Sequence, residues 1–202
     1  MRTRLVFLML TPLLAAGGCA SAPDAASTGS TPASLAAVTE TGAPSPPGPP
    51  LEAFVLWAPE IPAGGVMPAR FTCDDEDLSP ALAWGGQPAE TRSLVVVMED
   101  PDADGFVHWL VYAIPDSFRG LPEGIPGEGE VEGGLRQGVN SFGQIGYGGP
   151  CPPGATHRYV FRLLALDAVL DSPSGLGADD LCRELAPHLL AEAVLTLSYT
   201  RP

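Results

Sequence analysis

The sequence predicts a mainly β fold in one domain, and three observations carry that expectation. From residue 51 onward the chain consists of short apolar runs divided by clusters of Gly, Pro and Asp, the pattern of strands bounded by turns. One run, residues 94–98, is apolar at every position, as a central strand covered on both faces must be. Only one stretch, residues 178–193, reads as a helix. At 202 residues the chain is long enough for a single core with tails.

The elements follow in order. Arg2 and Arg4 precede an apolar run at residues 5–14 and small residues ending at Cys19, which is the layout of a secretory signal over residues 1–18. The segment is too short and wrongly flanked for a stable membrane span. Ala16-Gly17-Gly18-Cys19 resembles a bacterial lipobox, so Cys19 is expected to be lipidated; the alternative is an ordinary cleaved signal beside an incidental cysteine. Residues 19–50 then form an Ala/Ser/Thr/Pro/Gly tether that cannot bury enough apolar surface to order itself. As a flexible chain it reaches on the order of 30 Å. The folded domain is expected over residues 51–202, with strands at 54–57, 81–84, 93–99, 107–114, 158–166 and 194–200. In the helix, Asp179 and Asp180 suit the positive N-terminal end, and Pro187 is expected to kink or split it. Residues 116–149, rich in Gly, acids and Pro, read as surface loop.

Charge and cysteine usage exclude several classes. The chain carries 10 Arg against 24 acids, and loss of residues 1–18 removes Arg2 and Arg4 but no acid, leaving a mature net charge of −16. Such a surface argues against nucleic acid and against loose adsorption to anionic lipid, so membrane contact is expected through the lipid anchor alone. No Cys-x-x-Cys or Cys/His ligand spacing points to zinc, and no motif calls for a cofactor. With Cys19 lipidated, Cys73, Cys151 and Cys182 remain, and the simple arithmetic in an oxidising envelope is one bridge and one free thiol. Cys182, beside Leu181 and Leu185, is expected to be the buried free thiol.

Polar residues gather at the expected strand ends. Asp100 and Asp102 follow the central strand with Pro101 between them, and residues two apart on an extended chain project to one side. His108 and Trp109 open the next strand, and His157 and Tyr159 open another, sharing a face by the period of two. The loop Gly148-Gly149-Pro150-Cys151-Pro152-Pro153 precedes them, its glycines allowing close backbone approach and its prolines holding the shape. Singly, each motif has an ordinary reading: Asp-Pro-Asp is turn chemistry and a lone His beside Trp is a sheet-end residue. Together they point to a polar pocket at one end of a β scaffold.

Glu99-Asp-Pro-Asp-Ala-Asp and Phe106-Val-His-Trp-Leu-Val-Tyr-Ala-Ile-Pro115 resemble the signature of the phosphatidylethanolamine-binding protein (PEBP) family, in its bacterial YbhB/YbcL, or Raf-kinase-inhibitor-like, branch. The likeness continues through Phe71-Thr-Cys-Asp, Ser79-Pro-Ala-Leu-Ala-Trp84, Gln137-Gly-Val-Asn-Ser-Phe-Gly143, residues 146–153, residues 157–167, His188-Leu-Leu-Ala-Glu-Ala and Ser198-Tyr-Thr-Arg201, covering residues 54–202 in order. The resemblance implies a central antiparallel sheet flanked by a smaller sheet and a C-terminal helix. It also implies a pocket for phosphate-like anions and phospholipid headgroups, formed by Asp100, His108, Gly149, Pro150, Pro152, Pro153, His157 and Tyr159, with Asp102 and Trp109 in support. Imidazole N–H, phenol O–H and loop N–H groups would donate to oxygens while a carboxylate meets an ammonium. A Cys73–Cys151 bridge is implied because both cysteines lie in motifs bordering that pocket. Two positions depart from the family: Asp104 stands in place of the usual Pro, and Ala113 in place of Asn.

The expected function is therefore a non-enzymatic binding protein of the bacterial cell envelope, anchored by lipid, with no catalytic residue assigned. Ser79 and Ser141 lack an activating G-x-S-x-G context. The alternatives are a phosphoesterase-like hydrolase using Asp100, Asp102, His108 and His157, or an inhibitor of a partner protease or kinase. No sequence feature identifies a protein partner.

Overall fold

The computed structural model describes residues 53–202. The expectations placed on residues 1–50, namely the signal segment, the lipidated Cys19 and the tether, lie outside the described residues.

Ten elements make up the fold. In chain order they are β1 (Val55–Trp57), β2 (Leu82–Gly85), β3 (Ser93–Asp100), β4 (Phe106–Pro115), β5 (Gly120–Leu121), β6 (Glu130–Val131), β7 (Leu135–Gln137), β8 (His157–Leu166), α1 (Ala178–Leu185) and β9 (Leu189–Tyr199). The strands form two antiparallel sheets, a three-stranded one in the order β1-β2-β5 and a six-stranded one in the order β6-β7-β4-β3-β8-β9. The expected architecture of a central sheet, a smaller flanking sheet and one C-terminal helix is thus present.

The uninterrupted apolar run of β3 is explained by its two covered faces. Leu94, Val96 and Met98 point into a core shared with Leu56, Leu82 and Trp84 of the small sheet. Val95 and Val97 point the other way, against Leu181 and Leu185 of α1. Burial of each such side chain contributes about 1.5–3 kcal/mol, so one strand anchors both layers.

The structure corrects three expectations. The helix stops at Leu185, and a single tighter turn over Ala186–His188 leads into β9. Pro187 ends the helix rather than kinking it, since it lacks an N–H to continue the ladder. The stretch read as surface loop, residues 116–149, contains three short strands and buries Leu121, Leu135, Gln137 and Asn140. Its polar composition hid the burial because Gln137 is satisfied by backbone: its amide donates to the carbonyls of Pro126 and Glu128, both at 2.7 Å. Cys182 is neither buried nor free; it is half-exposed and disulfide-bonded. On an eight-residue helix whose Leu181 and Leu185 face the core, the position after Leu181 is turned about 100° toward the rim. The Cys73–Cys151 bridge is present.

Candidate functional site

The end of the large sheet where β3 stops and β8 begins carries a cavity of about 200 Å³. Its wall is built by Asp100 at the end of β3, Ala103 in the following turn, Phe106 and His108 at the start of β4, and His157 and Tyr159 at the start of β8. Phe142 and the Cys151-Pro152-Pro153 segment complete it.

Each polar side chain is placed by a backbone feature. In β4 the pairing slips between Met98 and Glu99, so that Trp109 lies opposite Met98 while Val107 lies opposite Glu99. This bulge leaves His108 without a partner residue and turns it to the same side as Trp109. His108 therefore faces the cavity while Trp109 fills the core beneath it, its indole N–H donating to Gln137 Oε1 at 2.8 Å. Asp100 caps the turn over Pro101–Ala103, its Oδ1 accepting the Asp102 N–H at 2.9 Å. Its Oδ2 accepts from His157 Nδ1 at 2.7 Å. Both oxygens of this buried carboxylate are thus engaged, and its first effect is to hold the His157 ring.

The turn geometry separates the two acids that an extended chain would have paired. Asp102 points away from the cavity and takes Arg158 through both carboxylate oxygens, at 2.7 and 3.0 Å. Those hydrogen bonds hold its pKa down to about 2. Asp104, at the position of the family's usual Pro, takes φ 54°, a conformation the proline ring forbids.

The glycine loop is held by hydrogen bonds that the sequence reading assigned to a ligand. Gly148 accepts from His108 Nδ1 at 2.6 Å and its own N–H donates to the His108 carbonyl at 3.0 Å. The Gly149 N–H donates to Asp77 Oδ1 at 2.7 Å, and the Pro150 carbonyl accepts from the Cys73 N–H at 3.1 Å. Gly149 and Pro150 therefore fix the loop without lining the cavity; Pro152 and Pro153 line it. A Cβ at Gly149 would stand 2.3 Å from Asp77 Oδ1 and 2.6 Å from the Phe71 carbonyl oxygen, so only glycine fits that approach.

Of the ten residues expected at the site, Asp100, His108, Pro152, Pro153, His157 and Tyr159 converge on the cavity, whereas Asp102, Trp109, Gly149 and Pro150 stand behind its wall. Four lining residues were not singled out: Ala103, Phe106, Phe142 and, as a wall residue, Cys151. Phe106 packs edge-on against Phe142, with ring centres 4.7 Å apart, and both rings touch His108. The two-residue step from Phe106 to His108 was a legible signal for the first. Phe142 is placed by Asn140, whose side-chain oxygen accepts the N–H groups of Phe142 and Gln144, and nothing in the periodicity foretells that.

Two electrostatic features stand out. Burial lowers the His108 pKa, outweighing the Gly148 carbonyl and the charge of Asp100 that would raise it. Burial, then the negative charges of Asp100 and Asp102, push the Tyr159 phenol up, so it stays an O–H donor. That hydroxyl is buried and makes no hydrogen bond of ordinary length among the described residues, although the Asp100 carboxylate stands close enough to raise its pKa. Ser79 and Ser141 use their hydroxyl oxygens to accept backbone N–H groups, from Ile125 and Val107, each at 2.9 Å. No cluster with metal-ligand geometry occurs among the described residues.

The comparisons agree with this architecture. Residues 57–200 match the family model described as phosphatidylethanolamine-binding protein. A UPF0098 protein of Methanothermobacter thermautotrophicus is 45% identical over 139 residues, which cover 68% of this chain and 92% of the relative. One from Aquifex aeolicus is 42% identical over 143 residues, covering 68% of this chain and 83% of its own length. Among solved structures, E. coli YbcL superimposes with a TM-score of 0.69 at 30% identity over 74% of this chain and 99% of its own. A PEBP homolog from Chlamydia trachomatis gives 0.68 at 34% identity, again over 74% and 99%. With the fold, the ordered motifs and these matches in agreement, the chain belongs to the phosphatidylethanolamine-binding protein family.

Proposed function

We propose that this protein is a non-enzymatic binding module of the bacterial envelope whose pocket takes a phosphate-like anion, free or as a phospholipid headgroup. The observation that carries the pocket reading is the Tyr159 hydroxyl. A buried O–H that makes no hydrogen bond of ordinary length costs up to about 1–3 kcal/mol, and its place in the wall of a cavity lets a ligand oxygen recover part of that cost. The cavity, at about 200 Å³, suits a headgroup rather than a whole lipid. Phe106 and Phe142 add an apolar side against which the carbon part of an ester can rest. Binding rather than hydrolysis is favoured because Asp102, the second acid of a catalytic pair, is held by Arg158, and neither Ser79 nor Ser141 lines the cavity, each accepting a backbone N–H instead. The test is a titration of the protein with inorganic phosphate and phosphoethanolamine while the imidazole NMR signals of His108 and His157 are followed. Both signals are expected to move saturably; if neither moves at millimolar ligand, the anion pocket is wrong.

A further inference from the structure

We propose that the pocket takes its oxyanion together with one proton, which lies between Nε2 of His108 and a ligand oxygen. This rests on the anion-pocket reading and adds the protonation state of the ligand that the pocket selects. Among the described residues no Arg or Lys lines the cavity; its ionisable groups are Asp100, His108, His157 and the Tyr159 phenol. The buried Asp100 carboxylate therefore faces an incoming anion with no fixed cation in the wall to offset it.

The hydrogen bonding of His108 decides where the proton must go. A carbonyl oxygen only accepts, so the 2.6 Å contact to Gly148 puts a proton on Nδ1. In the neutral ring Nε2 then carries a lone pair, which repels a ligand oxygen. The groups around the ring are Asp100 from β3, Asp77 from the segment before β2, His157 and Tyr159 from β8, and the rings of Phe106 and Phe142. The two carboxylates favour the imidazolium, but burial outweighs them and keeps the empty pocket's His108 neutral near pH 7. An anion arriving beside Nε2 adds the negative charge that tips this balance, so binding draws a proton in. A phosphomonoester, whose second ionisation lies near pH 6, brings that proton itself as the monoanion. Sulfate and phosphodiesters cannot, and depend wholly on His108.

The sign follows from linkage. If the His108 pKa is low in the free protein and higher in the complex, affinity is greatest below the free value. It falls by up to about tenfold per pH unit between the two values and is constant above the bound one. The experiment is calorimetry on the full chain with sulfate, phosphoethanolamine and glycerophosphoethanolamine, from about pH 5.5 to about 8.5, in buffers of different ionisation enthalpy. Sulfate and the diester are expected to take up about one proton each at neutral pH and to weaken as pH rises. The His108 NMR titration should move to higher pH when sulfate saturates the protein, a readout that needs no variant. His108→Gln, whose amide donates at every pH, should abolish the slope for sulfate. A sulfate affinity flat with pH and without proton uptake would overturn the proposal, as would a slope that survives in H108Q or an imidazole pKa that does not rise. Absence of binding by all three ligands at every pH would instead sink the anion pocket itself. The tighter of phosphoethanolamine and glycerophosphoethanolamine at low pH identifies a soluble monoester or a lipid headgroup as the source.

Discussion

Tyr159 shows how a single side chain can be poor for stability and good for binding. Its ring is fully buried and meets His108 edge-on, with centres 5.2 Å apart, while its hydroxyl makes no hydrogen bond of ordinary length among the described residues. Tyr159→Phe keeps the packing and deletes the orphaned donor, so the variant is expected to be about 1 kcal/mol more stable in urea unfolding. The same change should weaken phosphate binding, because the ligand loses an O–H donor. A variant less stable than the parent would mean that the hydroxyl is satisfied, and an unchanged affinity would mean that it does not reach the ligand. Asp100 makes the complementary point. The sequence marks it as a site residue, and it is one, but its two oxygens are occupied by the Asp102 N–H and by His157. Residue type alone cannot distinguish a carboxylate that meets a ligand from one that aims an imidazole.

At the scale of elements, β4 holds most of what the sequence could not express. Period-two alternation locates the strand to within a residue at each end, yet it assumes an unbroken register, and β4 breaks it twice. The first break turns His108 into the pocket. The second, opposite the Leu94–Val96 stretch of β3, places Ala113 at φ 55°. A residue with a Cβ pays about 1–2 kcal/mol in that left-handed region, and glycine pays about 0.5–1 kcal/mol in lost chain entropy instead. Ala113→Gly is therefore expected to raise stability by about 0.5–1 kcal/mol, read as a higher thermal midpoint. Asn, the family's usual residue here, tolerates the same conformation and should act in the same direction. A lower midpoint for both variants would show that the bulge carries no strain. The helix illustrates the opposite limit: Pro187 was visible, but whether the chain beyond it stays helical depends on pairing with β8, which supplies partners for β9 all the way from Leu189 to Tyr199.

For the molecule as a whole, the fold was legible because apolar runs and ordered motifs both encode the central sheet, whereas the pocket's rear supports come from contacts across long stretches of chain. Asp77 holds Gly149, Tyr147 donates to the Phe71 carbonyl at 2.7 Å, and Cys73 binds Cys151, all joining the segment before β2 to the loop before β8. The bridge spans 78 residues, and closing a loop of that size stabilises by about 4.5 kcal/mol in the chain-entropy account, with native strain reducing the measured figure. Because Cys182 is also disulfide-bonded, a reductant would not isolate this bridge, but paired replacement does. Both cysteines are exposed, so Cys73→Ser with Cys151→Ser strands no buried hydroxyl. The double variant is expected to lose about 2–4 kcal/mol in urea unfolding and to bind phosphate more weakly, since Cys151 and its neighbours Pro152 and Pro153 line the cavity. Weaker binding with full stability would place the bridge's role in shaping the pocket alone. Lost stability with unchanged binding would show that the hydrogen bonds joining Gly149 to Asp77 and Gly148 to His108 suffice to hold the loop. An unfolding midpoint and a phosphate affinity both equal to those of the parent would remove the bridge from the account of the pocket.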